Sequence, residues 1–245
     1  MFDPYAQPLR AGSFYHIFNQ GNNREDIFIE PRNYLYFLDK IRQYVSPIAH
    51  IFAYCLLPNH FHLLIRIHAY DTLHDILPAR FPKPKHHHIY RGSTDLDEVA
   101  FDELVSKQLS RQFSDMFNGY TQAINKAFDR KGKLFSLPFG RVLVEGQDLI
   151  TYLICYIHRN PVHHHFCDDY GEWPYSSYQE ILELLKTGLV IGTPSAKSAE
   201  IEADKPFLHS ILYLEFLEEW FQKTAFFLML HEEAKDRWEQ RYSLE

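Results

Sequence analysis

The sequence predicts an α+β fold built on one antiparallel sheet, and three observations carry that reading. Strand-like apolar runs occur at 14–20, 48–57, 60–67 and 139–144, with side chains sorting to two faces by period two. Two stretches of helical periodicity, 31–45 and 95–128, fall between them, so the order is strand, helix, strand, strand, helix, strand. A Pro58-Asn59 turn joins the second and third strands directly.

Each element follows from its residues. Phe14 to Gln20 reads as the opening strand, and Pro31 to Val45 as a helix begun by a proline, whose missing N–H costs nothing in a first turn. Ile48 to Leu57 is the second strand, and His60 to Ile67 the next one after the Pro-Asn turn. The Pro-, His- and Gly-bearing stretch from Tyr70 to Thr94 interrupts the pattern and is expected to be an insertion or mobile loop. Leu104, Leu109, Phe113, Phe117, Tyr120 and Ile124 give Asp95 to Phe128 the apolar stripe of a long helix, stopped at Lys131-Gly132. Phe139 to Val144 is the last strand and Gln147 to Asn160 a further helix.

This βαββαβ order with a terminal helix is ferredoxin-like, with helices on one face of the sheet. Beyond it, Tyr178 to Lys186, Phe207 to Leu230 and Glu232 to Tyr242 read as helices, and Gly188 to Ala203 as a linker. The chain therefore divides into a domain over 1–180 and an acidic helical extension over 190–245.

With 46% hydrophobic and 16% aromatic residues, the 245-residue chain has ample material for a packed core. Phe226 to Leu230 is too short for a membrane span and is flanked by Lys223 and His231. Three cysteines without paired spacing, and an N-terminus without a basic and apolar leader, suggest a reduced, cytoplasmic protein.

Chemistry concentrates in two motifs. In Leu57-Pro58-Asn59-His60-Phe61-His62-Leu63-Leu64-Ile65, the strand period sends His60 and His62 to one face and Phe61 and Leu63 to the other. Two neighbouring imidazoles suit a divalent metal and leave coordination positions open. Two half-exposed histidines on a polar strand face are the bland alternative. In Ile150 to Val162, Tyr152, Tyr156 and Asn160 recur every four residues and share a helix face, and Pro161 is expected to stop the helix at Asn160. Laid against the histidine strand, that face would bring a third ligand and a nucleophile. The alternative is an aromatic-rich buried helix with Asn160 as a cap. Tyr120, on the long helix with Asn125 five residues on, reads as core.

The Pro-Asn-His-x-His-Leu-Leu strand and the Tyr-Ile-His-x-Asn-Pro-Val helix together resemble the single-tyrosine transposases of the HUH endonuclease superfamily, and among them the REP-associated tyrosine transposases. Phe14 to Arg24, Ile27-Phe28, Gly132-Lys133-Leu134-Phe135 with Phe139, and Trp173 to Tyr178 are similar to further landmarks of that family. The resemblance covers roughly 12–68 and 105–178; where the family often has Arg-Ala-Gly after Asn-Pro-Val, this chain has His163-His164-His165-Phe166.

The resemblance implies the same fold and a metal-dependent single-strand DNA endonuclease or transposase. Its metal ligands would be His60, His62 and Asn160, its cofactor magnesium or manganese, its nucleophile Tyr156 and its intermediate a 5′-phosphotyrosine. Single-stranded or hairpin DNA is the implied partner, and monomer and homodimer both stay open. The alternative is a domesticated protein that binds a DNA or RNA hairpin without cutting it. Arg159 or His158 could supply positive charge near the nucleophile, and Arg159 is also a candidate DNA contact.

A net charge of −7 is unexpected for a DNA-handling protein, but it is unevenly placed. Residues 1–170 carry 18 Lys and Arg against 18 Asp and Glu, and 171–245 carry 7 against 14. Arg80, Lys83, Lys85 and Arg91, interleaved with His86 to His88, form one cationic stretch, and Lys126, Arg130, Lys131 and Lys133 another. Either can track a phosphate backbone or be a solvated surface, and the two histidine triplets read as solvated or phosphate-contacting loops.

Overall fold

The computed structural model describes residues 5–81, 95–187, 212, 220–221 and 223–241, and of 95–100, 187 and 235–241 the backbone only. Four strands, β1 (Phe14–Gln20), β2 (Ala49–Leu57), β3 (His60–Ile67) and β4 (Gly140–Val144), form one sheet in the order β2-β3-β1-β4. Every neighbouring pair is antiparallel. The helices are α1 (Pro31–Tyr44), α2 (Tyr70–Ile76), α3 (Asp95–Ala127), α4 (Gln147–His163), α5 (Tyr178–Thr187) and α6 (Thr224–Arg241). The crossovers through α1 and α3 each skip one strand, which is the ferredoxin-like arrangement the element order predicts.

Alternation along the strands sorts the sheet into two faces. Tyr15, Ile17, Phe61 and Leu63 point one way and are fully buried under α1 and α3. Phe37 of α1 and Phe117 of α3 meet Phe61 with ring centroids 5.0 and 5.9 Å apart. Each buried aromatic side chain of this kind stabilises the fold by about 1.5–3 kcal/mol. Pro31 opens α1, and Asn33 Oδ1 accepts hydrogen bonds from the backbone N–H groups of Glu30 and Ile29 at 2.8 and 3.0 Å, satisfying donors ahead of the helix.

The opposite face carries His16, Phe18, His60 and His62, and α4 lies across it, so helices cover both faces of the sheet and not the single face expected. The outer edge of β2 is closed by 175–177, where Leu56 N–H donates to Tyr175 O at 2.9 Å and Ser177 N–H to Tyr54 O at 3.0 Å. Helix α6 packs against α4 and α5 through Phe227 and His231.

Three local expectations change. The start of the expected 70–94 loop is helical: α2 buries Leu73, and His74 Nδ1 donates to Phe81 O at 2.6 Å, drawing a buried Phe81 back under it. Residues 82–94 lie outside the described residues. Helix α4 does not stop at Asn160 but runs through Pro161 to His163. A proline so near the end removes a single N–H, and burial of Ile157, Asn160 and Pro161 holds the last turn in place. The helices read as ending at Leu230 and starting at Glu232 are one helix, Thr224–Arg241, within which His231 Nδ1 donates to Phe227 O at 2.8 Å. Among the described residues, no helix is long and apolar enough to cross a membrane.

Candidate functional site

Between α4 and the exposed end of the histidine face lies a cleft of about 890 Å³. Register builds its floor: Phe18 stands opposite His62 and Gln20 opposite His60 across the β1–β3 ladder. The His60 and His62 ring centroids are 5.3 Å apart and nearly perpendicular. Tyr156 descends from α4 with its ring edge-on to both His62 and His16, at 5.6 and 5.9 Å. Gly140 forms part of the wall, and a Cβ there would meet the Phe18 ring at 2.4 Å, so only glycine lets that ring lie against β4.

Hydrogen bonding fixes which lone pairs remain. His60 Nδ1 lies 2.7 Å from Asn59 Oδ1, an acceptor, so Nδ1 carries the proton and Nε2 keeps its lone pair. Asn160, buried at 2% exposure, donates its amide N–H to Tyr156 O at 2.9 Å, and its side chain also meets His60. With one amide N–H engaged, the carboxamide oxygen is the end left for a ligand. His62 Nε2 is buried without a hydrogen-bond partner, while Nδ1 of the same ring lies 2.9 Å from His16 Nε2.

Burial keeps these imidazoles neutral. It lowers His16 to about 4, and together with the nearby His164 it lowers His60 to about 4 despite the bond to Asn160. His62 is pushed well below the usual histidine range, by burial first and by its histidine neighbours second. Neutral imidazole is the ligating form, and among the described residues no acid lines the cleft. Two imidazole nitrogens and a carboxamide oxygen, one nitrogen buried and orphaned, fit a divalent cation of borderline hardness. Among the described residues no group of three or more His, Cys, Asp or Glu side chains is disposed to hold a metal, so a third protein ligand would be another kind of donor, such as the Asn160 carboxamide.

The fold thus brings together Tyr156, His60, His62 and Asn160. Tyr152, one turn earlier on α4, also lines the cleft, its ring 6.5 Å from that of Tyr156. Tyr120 is core: it is fully buried and its hydroxyl donates to Ile27 O at 2.8 Å. The two residues read as charge donors to the nucleophile face elsewhere. His158 lies roughly 200° around the helix from Tyr156, fully buried and held neutral by burial and by His231. Arg159 reaches toward α6, donating to Ala234 O at 3.4 Å.

The cationic residues separate in the same way. Arg80 pairs with Asp115 at 2.8 Å, and Arg130 with Glu25 and Asn125. Lys126, Lys131 and Lys133 are exposed around the turn that leads into the cleft-lining Ser136 and Pro138. Lys83, Lys85, Arg91 and the histidines at 86–88 lie outside the described residues.

Three cleft residues escape sequence reasoning. His16 is a lone histidine in a strand, and only antiparallel register sets it beside His62. Arg24 lines the cleft from a left-handed turn (φ 62°) after the first strand. His164, read as a loop histidine, stands at the end of α4 with its ring 4.8 Å from His60. The extra turn past Pro161 carries it there.

No family model matches the chain, and neither does any curated protein. Among solved structures the chain is similar to a REP-associated tyrosine transposase bound to a REP hairpin, at 15% identity and a TM-score of 0.46, over 75% of this chain and 86% of that one.

Proposed function

We propose that the chain is a single-strand DNA endonuclease or transposase that cleaves and rejoins DNA through Tyr156. The observation that carries this reading is the position of Tyr156, edge-on to His62 at 5.6 Å and one turn before Asn160, which bonds to the carbonyl of Tyr156 itself. A nucleophile and a carboxamide donor on one helix thereby face two neutral imidazoles on one strand.

In this reading His60, His62 and Asn160 would hold magnesium or manganese, which would neutralise charge on a scissile phosphate. Tyr156 Oη attacks the phosphorus in line and gives up its proton to water. The phosphorus–O3′ bond breaks, and the leaving oxygen takes a proton to become a free 3′ hydroxyl. The 5′-phosphotyrosine keeps the energy of the broken ester, so rejoining needs no nucleotide cofactor. Arg24, which lines the cleft, and the exposed Lys126, Lys131 and Lys133 would meet backbone phosphates in this reading. The cleft aromatics Phe18, Tyr152 and Phe166 suit unpaired bases.

The test is incubation with random and hairpin-bearing single-stranded oligonucleotides plus magnesium or manganese. A denaturant-resistant adduct is expected with the wild type and not with Tyr156→Phe. Tight hairpin binding without an adduct in any metal would identify a non-cleaving binder of DNA or RNA hairpins.

A further inference from the structure

Resting on the reading of His62 as a metal ligand, we infer that His16 is a positioning residue: its Nε2 accepts the Nδ1–H of His62 and so holds the bare His62 Nε2 toward the cation. The two nitrogens are 2.9 Å apart, and exactly one of them must carry the shared proton. If His16 donated, the His62 proton would sit on Nε2, buried and without an acceptor, which leaves a desolvated donor unpaired. If His62 donates, its Nε2 is a lone pair, and a single cation satisfies it together with the other two donors.

Packing makes the arrangement specific. His16 is gripped by Phe18 on one side, with ring centroids 5.0 Å apart, and by the Tyr156 edge on the other, at 5.9 Å. One imidazole therefore orients the ligand ring and abuts the proposed nucleophile. Ligating histidines ordinarily use their second nitrogen on a carboxylate, carbonyl or water, and losing that partner weakens metal binding by about 10–100-fold. Here the partner is a neutral imidazole from the neighbouring strand.

The experiment uses the full chain. Long-range proton–nitrogen correlation spectra of the metal-free protein read the tautomer of His62, assigned by loss of its signals in His62→Ala. Calorimetric titration with manganese then compares wild type, His16→Phe and His16→Gln. The expected results are an Nδ1–H tautomer, an affinity about 10–100-fold weaker in His16→Phe, and recovery in His16→Gln, whose amide oxygen can accept the same proton. An Nε2–H tautomer in the wild type, or undiminished affinity in His16→Phe, would overturn the inference. A wild type with the Nδ1–H tautomer but no manganese affinity would instead sink the metal reading and take the inference with it, leaving only the His16–His62 bond.

Discussion

His158 Nδ1 lies 2.9 Å from His231 Nε2, and that contact gives direction to a hydrogen-bond chain through four elements. Phe227 O must accept from His231 Nδ1, so His231 Nε2 accepts from His158 Nδ1–H. His158 Nε2 is left to accept from Ser177 Oγ at 2.8 Å, and Ser177 Oγ accepts the Tyr54 N–H at 2.9 Å. The chain ties α6, α4, the start of α5 and β2 together on the side of α4 away from Tyr156.

Replacing His231 with Phe keeps the bulk but strands the buried His158 N–H. A loss of about 1–3 kcal/mol is expected, seen as a lower midpoint in urea or thermal unfolding. An unchanged midpoint would mean that the contact contributes nothing to holding α6 on α4.

Acid should act through the same pair. Burial lowers His231 to about 4 and His158 well below its ordinary value. The unfolded chain, with histidines near ~6.5, then binds protons that the folded chain does not. Stability is full above about 6.5 and falls as the pH drops toward 4, by up to about 3 kcal/mol for His231 alone. Melting curves between pH 7 and 4 should fall less steeply for His231→Phe than for the wild type.

Tyr156→Phe should abolish the covalent DNA adduct with stability and DNA affinity close to wild type. Tyr120→Phe should do the reverse, keeping the adduct but losing about 1 kcal/mol with the bond to Ile27 O. An adduct surviving in Tyr156→Phe and absent from Tyr152→Phe would move the nucleophile one turn along α4.

His60→Ala or His62→Ala should remove cleavage and manganese binding while the protein still folds. Cleavage that persists with both histidines replaced would end the metal reading.

Single-stranded or hairpin DNA should bind more tightly than perfect duplex, because aromatic walls suit unstacked bases. Affinity should fall as salt rises, and less steeply once Lys131 and Lys133 are neutralised. A preference for duplex in filter-binding or anisotropy measurements would contradict this.

Much of the site was legible because it depends on short periods. His60 and His62 share a face by strand alternation, and Tyr156 and Asn160 by helical repeat, so each pair could be read within its own motif. What depends on register between distant segments could not. His16 is placed by a ladder to residues 46 positions away, and His231 reaches His158 from beyond a stretch with no periodic signal. Pro161 misled for a related reason: a local preference against helix was outweighed by burial that only the assembled fold supplies. Arg80, Arg130 and Arg159 looked like free cations until the fold supplied Asp115, Glu25 and the Ala234 carbonyl.

Because Tyr156 and Asn160 stand on one rigid helix and His60 and His62 on one rigid strand, the site has two halves and, in effect, one coordinate between them. Any tilt or lift of α4 withdraws the hydroxyl and the carboxamide together. For the chemistry proposed, a cation cannot keep its full donor set while the tyrosine is out of reach, which disfavours attack by water and a strand break that no phosphotyrosine remains to reseal.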